Sequence, residues 1–181
     1  MTTMTKVTIR QEELADWNAI ETILDTAFGE ERYRKTAQRL REGRLPAEGL
    51  SLVAVDGDQV VGTIRMWHVT AGNVPALLLG PVAVDCARQG EGIGAQLIRQ
   101  ALARALGRAY RAVILVGDAP YYGRFGFNRE HTRNLTLPGP VDPARFLGLE
   151  LTQGSLKLAR GMVRGIGDFA LPAPAAASIA A

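Results

Sequence analysis

Cysteine is nearly missing from this chain. Cys86 is the only one in 181 residues, so no internal disulfide framework can staple the fold. Histidine is almost as scarce. The two that occur, His68 and His131, stand at spacings unrelated to each other and to Cys86, which is no metal-binding pattern. Long apolar runs are lacking too: none approaches the roughly 20 residues that a membrane-spanning helix requires. The opening stretch, MTTMTKVTIRQEEL, has no apolar block of the kind a secretory signal carries. A cytoplasmic protein without a membrane partner is therefore expected. Lysine is rare as well, with three against 18 arginines, and the net charge is only +3. The basic residues are scattered, so nothing marks a nucleic-acid-binding surface.

What is present describes one ordinary globular domain. Hydrophobic residues make up 47% and charged residues 22% of a chain long enough to bury a sizeable core. A single domain over 1–170 is expected, followed by an Ala/Pro-rich tail at 171–181 that offers little for a core. The densest basic stretch, EERYRKTAQRLREGR at 30–44, is interleaved with Glu30, Glu31 and Glu42. A solvated helix face is the plainer reading of it; a site for an acidic ligand is the other.

Periodicity sets out the elements. KVTIR (6–10) reads as a strand, and Leu14, Trp17, Ile20, Ile23, Leu24 and Phe28 recur at helical spacing. A second helix is predicted over 31–43. LSLVAVDGDQVVGTIRMWHV reads as two strands joined at Asp56-Gly57, a hairpin signal, and ALLLGPVAV (76–84) as a third. From Gly92 the period becomes helical, with Ile93, Leu97, Ile98, Ala101, Ala105 and Leu106 on one stripe. RAVILVGD (111–118) reads as a strand buried on both faces. YYGRFGF (121–127) fits a short helix with Phe125 and Phe127 in the core. Weak strand patterns follow at 131–137, 148–152 and 158–164.

The loop ARQGEGIGA (87–95) carries the most chemistry. It is not a nucleotide P-loop, because no Gly-Lys-Ser/Thr follows. Gly90, Gly92 and Ala95 do match G-x-G-x-x-A, but an antiparallel hairpin precedes them, and Asp118 comes too late to be the acidic partner of a dinucleotide fold. The third reading is Q-x-x-G-x-G at Gln89, Gly92 and Gly94. Glycines let a backbone approach a ligand, and a helix opening at Gly92 adds unpaired N–H groups and a positive dipole end, a place suited to a diphosphate. A helix entry with no ligand is the alternative. Pro81, inside the preceding strand, cannot donate to a ladder and predicts a bulge or a splayed edge. That would free the backbones of Val82, Ala83 and Val84 for an extended ligand.

These residues together resemble the GCN5-related N-acetyltransferase (GNAT) superfamily. Gln89-Gly90-Glu91-Gly92-Ile93-Gly94 fits its R/Q-x-x-G-x-G/A signature, GPVAVD fits the strand leading into it, and Tyr122-Gly123-Arg124-Phe125-Gly126-Phe127 fits its Y-x-x-x-G-F block. VGDAPYYGRFGF is most similar to acetyltransferases of the YhbS type. The resemblance implies an α/β (α+β) fold: a mixed, mostly antiparallel sheet flanked by helices, with a splayed central strand and a β-loop-α cofactor site. It implies transfer of acetyl from acetyl-CoA, with CoA as product, to a primary amine of a small-molecule or peptide acceptor by direct attack. Val82, Ala83 and Val84 would pair with the pantetheine arm, and Gln89, Gly90, Glu91, Gly92, Ile93, Gly94 and Ala95 would surround the diphosphate. Tyr122 would be the proton donor.

The chain departs from that pattern in three places. GDAP stands where many relatives carry an asparagine, leaving Asp118 a doubtful substitute. His68 ends its strand where a base is often a glutamate; strand-end packing is the plainer reading, and water suffices as the other base. Cys86 has no obvious partner base for covalent catalysis. The stretch after His131 either walls the acceptor pocket or forms the edge of a homodimer. Two readings of other classes stay open: a non-catalytic acyl-CoA sensor, and an NAD-dependent oxidoreductase, which the strand order disfavours.

Overall fold

The computed structural model describes residues 7–171. The tail expected at 171–181 lies outside these, apart from Leu171, which is exposed. In chain order the elements are β1 (Thr8–Gln11), α1 (Trp17–Phe28), β2 (Ser51–Asp56), β3 (Gln59–Ala71), β4 (Val74–Val84), α2 (Ile93–Gly107), β5 (Ala112–Val116), α3 (Ala119–Gly123), β6 (Leu135–Thr136), β7 (Phe146–Glu150), β8 (Gly161–Met162) and β9 (Arg164–Gly165). The main sheet runs β1-β2-β3-β4-β5-β7, with β9 added to β3. Within it only β4 and β5 are parallel; the other pairs are antiparallel. This is the mixed, mostly antiparallel sheet expected, with the hairpin turning after Asp56.

Helices cover both faces, which explains why LSLVAV shows no polar alternation. Along β2, Val53 and Val55 meet Ile20, Ile23 and Leu24 of α1. Leu52 and Ala54 face the opposite way, toward Ile93, Leu97, Ile98, Ala101 and Ala105 of α2. Leu106 ends the expected α2 stripe but is 54% exposed. Leu14 and Trp17, placed on the first helical stripe, also stay outside the core, since one precedes α1 and the other begins it. That helix is anchored from outside its own sequence. The Asp16 carboxylate takes two hydrogen bonds from Arg10, at 2.7 and 2.8 Å, and one from the Glu13 N–H at 2.8 Å.

The helix predicted over 31–43 does not form. Two 3-10 turns, Glu30–Tyr33 and Thr36–Leu40, stand there, separated by extended backbone at Lys35. Distant partners hold the second turn: Thr36 Oγ1 donates to Pro140 O at 2.5 Å and Arg39 to Pro138 O at 2.6 Å. The short helix also shifts. α3 begins at Ala119, where the Asp118 carboxylate caps the Tyr121 N–H at 3.0 Å, and it ends at Gly123. Of the three weak strand patterns, the middle one is the substantial strand: β7 pairs with β5 over five residues. The outer two shrink to the pairs β6, β8 and β9. Phe127 is in the core as expected, and Phe125 is half-buried at its margin.

Gly62 on β3 positions the glycine loop. A methyl group there would lie 3.1 Å from Leu97 Cδ1 and 3.3 Å from Ile93 Cγ2, so the first turn of α2 rests directly on the sheet. Leu97 is fully buried in that contact. Leu97→Ala is expected to cost about 2–5 kcal/mol of stability by leaving a cavity, measured by denaturant unfolding. A cost below about 1 kcal/mol would contradict this packing.

Candidate active site

Two irregularities of the sheet build the site. First, β4 bulges: Ile64 pairs with Val82 and Met66 with Leu79, so Gly80 and Pro81 together oppose Arg65 alone. Trp67 Nε1 pins the bulge by donating to Gly80 O at 2.6 Å. Second, β4 and β5 are in register only at Leu77–Val113 and Leu78–Ile114, after which the two strands part. The splay predicted from Pro81 is therefore present.

The ladder decides which backbone groups face it. The Asp85 N–H donates to Val61 O across the β3 side at 2.9 Å. Antiparallel pairing alternates, so Ala83, opposite Thr63, also turns to β3. Val82 and Val84 turn outward, toward the splay. Ala83, grouped with them in the sequence, turns its N–H and C=O to the β3 ladder instead.

The glycine loop continues this line. None of the N–H groups from Glu91 to Ala95 donates to a partner among the described residues, and the first helical bond comes from Gln96 to Gly92 O. Gly90 and Gly92 have φ of 84° and 79°, the left-handed region that side chains disfavour. Ile93 and Ala95 have buried side chains, so only their backbone can serve a ligand. The Glu91 carboxylate is occupied by Arg88, at 2.8 and 2.9 Å, while the third nitrogen of Arg88 reaches Asp56 at 2.5 Å. That bridge ties the loop to the β2–β3 hairpin and neutralises its acid. Gln89 and Gly90 are exposed.

Across the splay, the Tyr122 ring packs directly against Gly117 at the end of β5. A methyl group on Gly117 would fall 2.2 Å from Tyr122 Cε2. Tyr121 and Phe127 pack edge-on against the ring, at centroid distances of 5.1 and 6.0 Å. The Tyr122 hydroxyl makes no hydrogen bond among the described residues, and Tyr122 lines a cavity of about 740 Å³. Burial, and next to it Tyr121, pushes its pKa up to about 12; the positive charge of Arg145 pulls the other way. Tyr121 instead leans on the glycine loop, its hydroxyl 3.1 Å from where a Gly94 side chain would begin.

The same cavity is walled by α1, by the 3-10 segment, by the β4 bulge and by residues 140–145. Sequence reasoning missed several of its residues. Arg65 is buried and paired with Glu12 at 2.6 and 2.8 Å; Glu21 is paired with Arg32 at 2.5 Å. His68 is not part of it. Its Nε2 is 2.7 Å from the Tyr110 hydroxyl, and it lines a separate cavity of about 410 Å³. Cys86 is exposed, in the turn after β4, and lines neither cavity. The Asp118 carboxylate is spent on capping α3.

Comparison with known proteins decides the family. The acetyltransferase (GNAT) domain family matches residues 8–129. The chain belongs to the GNAT acetyltransferases. It is 30% identical over 158 residues to YhbS of Escherichia coli K12, an uncharacterized N-acetyltransferase, covering 86% of this chain and 93% of that one. The crystal structure of E. coli YhbS in complex with CoA superposes with a TM-score of 0.77 at 28% identity, over 92% and 93% of the two chains. A GNAT acetyltransferase from Brucella melitensis, solved with acetyl-CoA, gives 0.62 at 30% identity, over 94% and 97%.

The raised pKa of Tyr122 has a measurable sign. Its folded value lies above the ordinary value near 10, so its contribution to stability is intact below pH 10 and is lost as pH rises toward about 12. Absorbance titration at 295 nm should therefore give the same curve for native protein and Tyr122→Phe up to about pH 11. A missing step near pH 10 in the variant would contradict the burial described.

Proposed function

We propose that this GNAT protein transfers an acetyl group from acetyl-CoA to a primary amine of a small-molecule or peptide acceptor, by direct attack while both are bound. The observation that carries the reading is two sets of backbone donors without a partner among the described residues: Val82 and Val84 at the splay, and Glu91 to Ala95 at the start of α2. The CoA-bound and acetyl-CoA-bound relatives support it.

When bound, acetyl-CoA supplies the acetyl group as an activated thioester. The N–H groups of residues 91–95 and the helix dipole would hold its diphosphate. Val82 and Val84 would pair with its arm along β4, and the outward N–H of Val82, next after the bulge, would stabilise negative charge on the carbonyl oxygen. Tyr122 holds a proton at Oη in the shared cavity. With a pKa above that of a thiol, near 8.5, it would act by donating a hydrogen bond to the charge developing on sulfur. With His68 in another cavity and Glu21 held by Arg32, the proton of the attacking amine would leave to water.

Thermal unfolding with acetyl-CoA, CoA and NAD in parallel tests binding. A ligand at about 100 times its Kd adds about 2.7 kcal/mol to the folded state. Acetyl-CoA and CoA should raise Tm and NAD should not; no shift with either CoA compound would overturn the reading. Tyr122→Phe is expected to lower turnover about tenfold or more with little change in acetyl-CoA affinity. Near-normal turnover would remove Tyr122 from the mechanism. Binding with no transfer to any amine would favour a sensor.

A further inference from the structure

The cavity shared by the β4 bulge and Tyr122 contains three cations that differ from its other charges. Arg32 is paired with Glu21 and Asp25, Arg34 with Glu31, and Arg65 with Glu12. Lys35, Arg41 and Arg145 line the same space, and none has a carboxylate within ion-pair distance among the described residues. Of the acids in the wall, Asp118 and Asp142 are spent on capping backbone N–H groups, and Glu42 is exposed at the rim.

Their places bracket the reaction centre. Arg41 Nη1 comes within 3.8 Å of where a Gly80 side chain would begin, beside the bulge. Its Nε donates to Gln38 at 2.7 Å, so a neutral amide orients the guanidinium without cancelling it. Arg145 stands on the opposite side of the splay, 3.4 Å from Gly117 O beneath Tyr122. Lys35 feels both: burial first, then the charges of Arg145 and Arg41, lower its pKa, and burial pulls Arg41 down to about 10. Arg41 is half-buried and Lys35 and Arg145 are exposed, and like charges set around one cavity repel one another until a ligand neutralises them. The diphosphate reading already has its own donors at residues 91–95, on α2.

We propose that Lys35, Arg41 and Arg145 form an anion subsite for the acceptor, so that its substrate is a small molecule bearing both the reacting amine and a carboxylate or phosphate. A guanidinium on one side and another across the splay suit two-point hydrogen bonding to such a group. Because the subsite borders the bulge itself, anion and amine belong to one compact molecule held in a single cavity. This rests on the acetyl-transfer reading above.

The test titrates the full chain, saturated with CoA, with two matched pairs: O-phosphoethanolamine against ethanolamine, and β-alanine against its amide. In at least one pair the anionic member should bind about tenfold or more tightly, a difference of about 1.4 kcal/mol; which pair does so distinguishes phosphate from carboxylate. Arg41→Gln and Arg145→Gln should each lower that preference about threefold or more, with CoA affinity and Tm with CoA unchanged, while Arg41→Lys keeps part of it. Equal binding within each pair, no binding of any of the four compounds, or a preference that survives both variants would overturn the subsite. A failure of CoA itself to bind would instead sink the acetyl-transfer reading, and the same titration of the free protein would still decide the subsite.

Discussion

Pro81 has no N–H to give to a ladder, and the site depends on what that does to β4. With Gly80 it bulges opposite Arg65, and beyond Leu78 the strand parts from β5. A closed parallel pair would have consumed the outward groups of Val82 and Val84, since buried backbone polar groups are almost always paired. The bulge keeps β4 bonded to β3 on one side while opening it on the other. Everything else converges on that opening: Tyr122 on β5's continuation, the free N–H groups at the head of α2, and the cavity roofed by the 3-10 segment.

Rigidity around the opening comes from packing on one side and charge pairing on the other. Beneath the glycine loop, Ile93 and Leu97 sit on Gly62 and hold the head of α2 against the sheet. Behind the bulge, the buried Arg65 is neutralised by Glu12 through two hydrogen bonds, and a buried guanidinium of that kind would be costly if its partner were removed. In the same wall, Lys35, Arg41 and Arg145 have no such partner among the described residues. The contrast between neutralised and free cations within one cavity is the observation on which the proposed acceptor subsite rests.

The stretch from 76 to 127 was legible because its chemistry is local. A proline inside an apolar strand, glycines at loop positions and an abrupt change of period each have few structural meanings, and they occur in order. Three things were not local. The 3-10 turns at 30–40 replace a helix because Thr36 and Arg39 are bonded to carbonyls about 100 residues away. The ladder side of Ala83 depends on register with β3, which a one-residue shift would reverse. Finally, the basic stretch at 30–44 reads as charge alternation along the chain. Which of its arginines find a carboxylate elsewhere in the chain is settled only when Glu21 and Asp25 are brought beside Arg32.

In the proposed CoA site, Val82, Val84 and residues 91–95 donate to the ligand while Ala83 does not. Amide proton exchange, followed by nitrogen-15 NMR as CoA is added, tests this residue by residue. The account predicts new protection at Val82, at Val84 and from Glu91 to Ala95, with the Ala83 amide, already bonded to β3, unchanged. CoA binding that leaves the Glu91–Ala95 amides exchanging as before, or that protects Ala83 in place of Val82 and Val84, would contradict it.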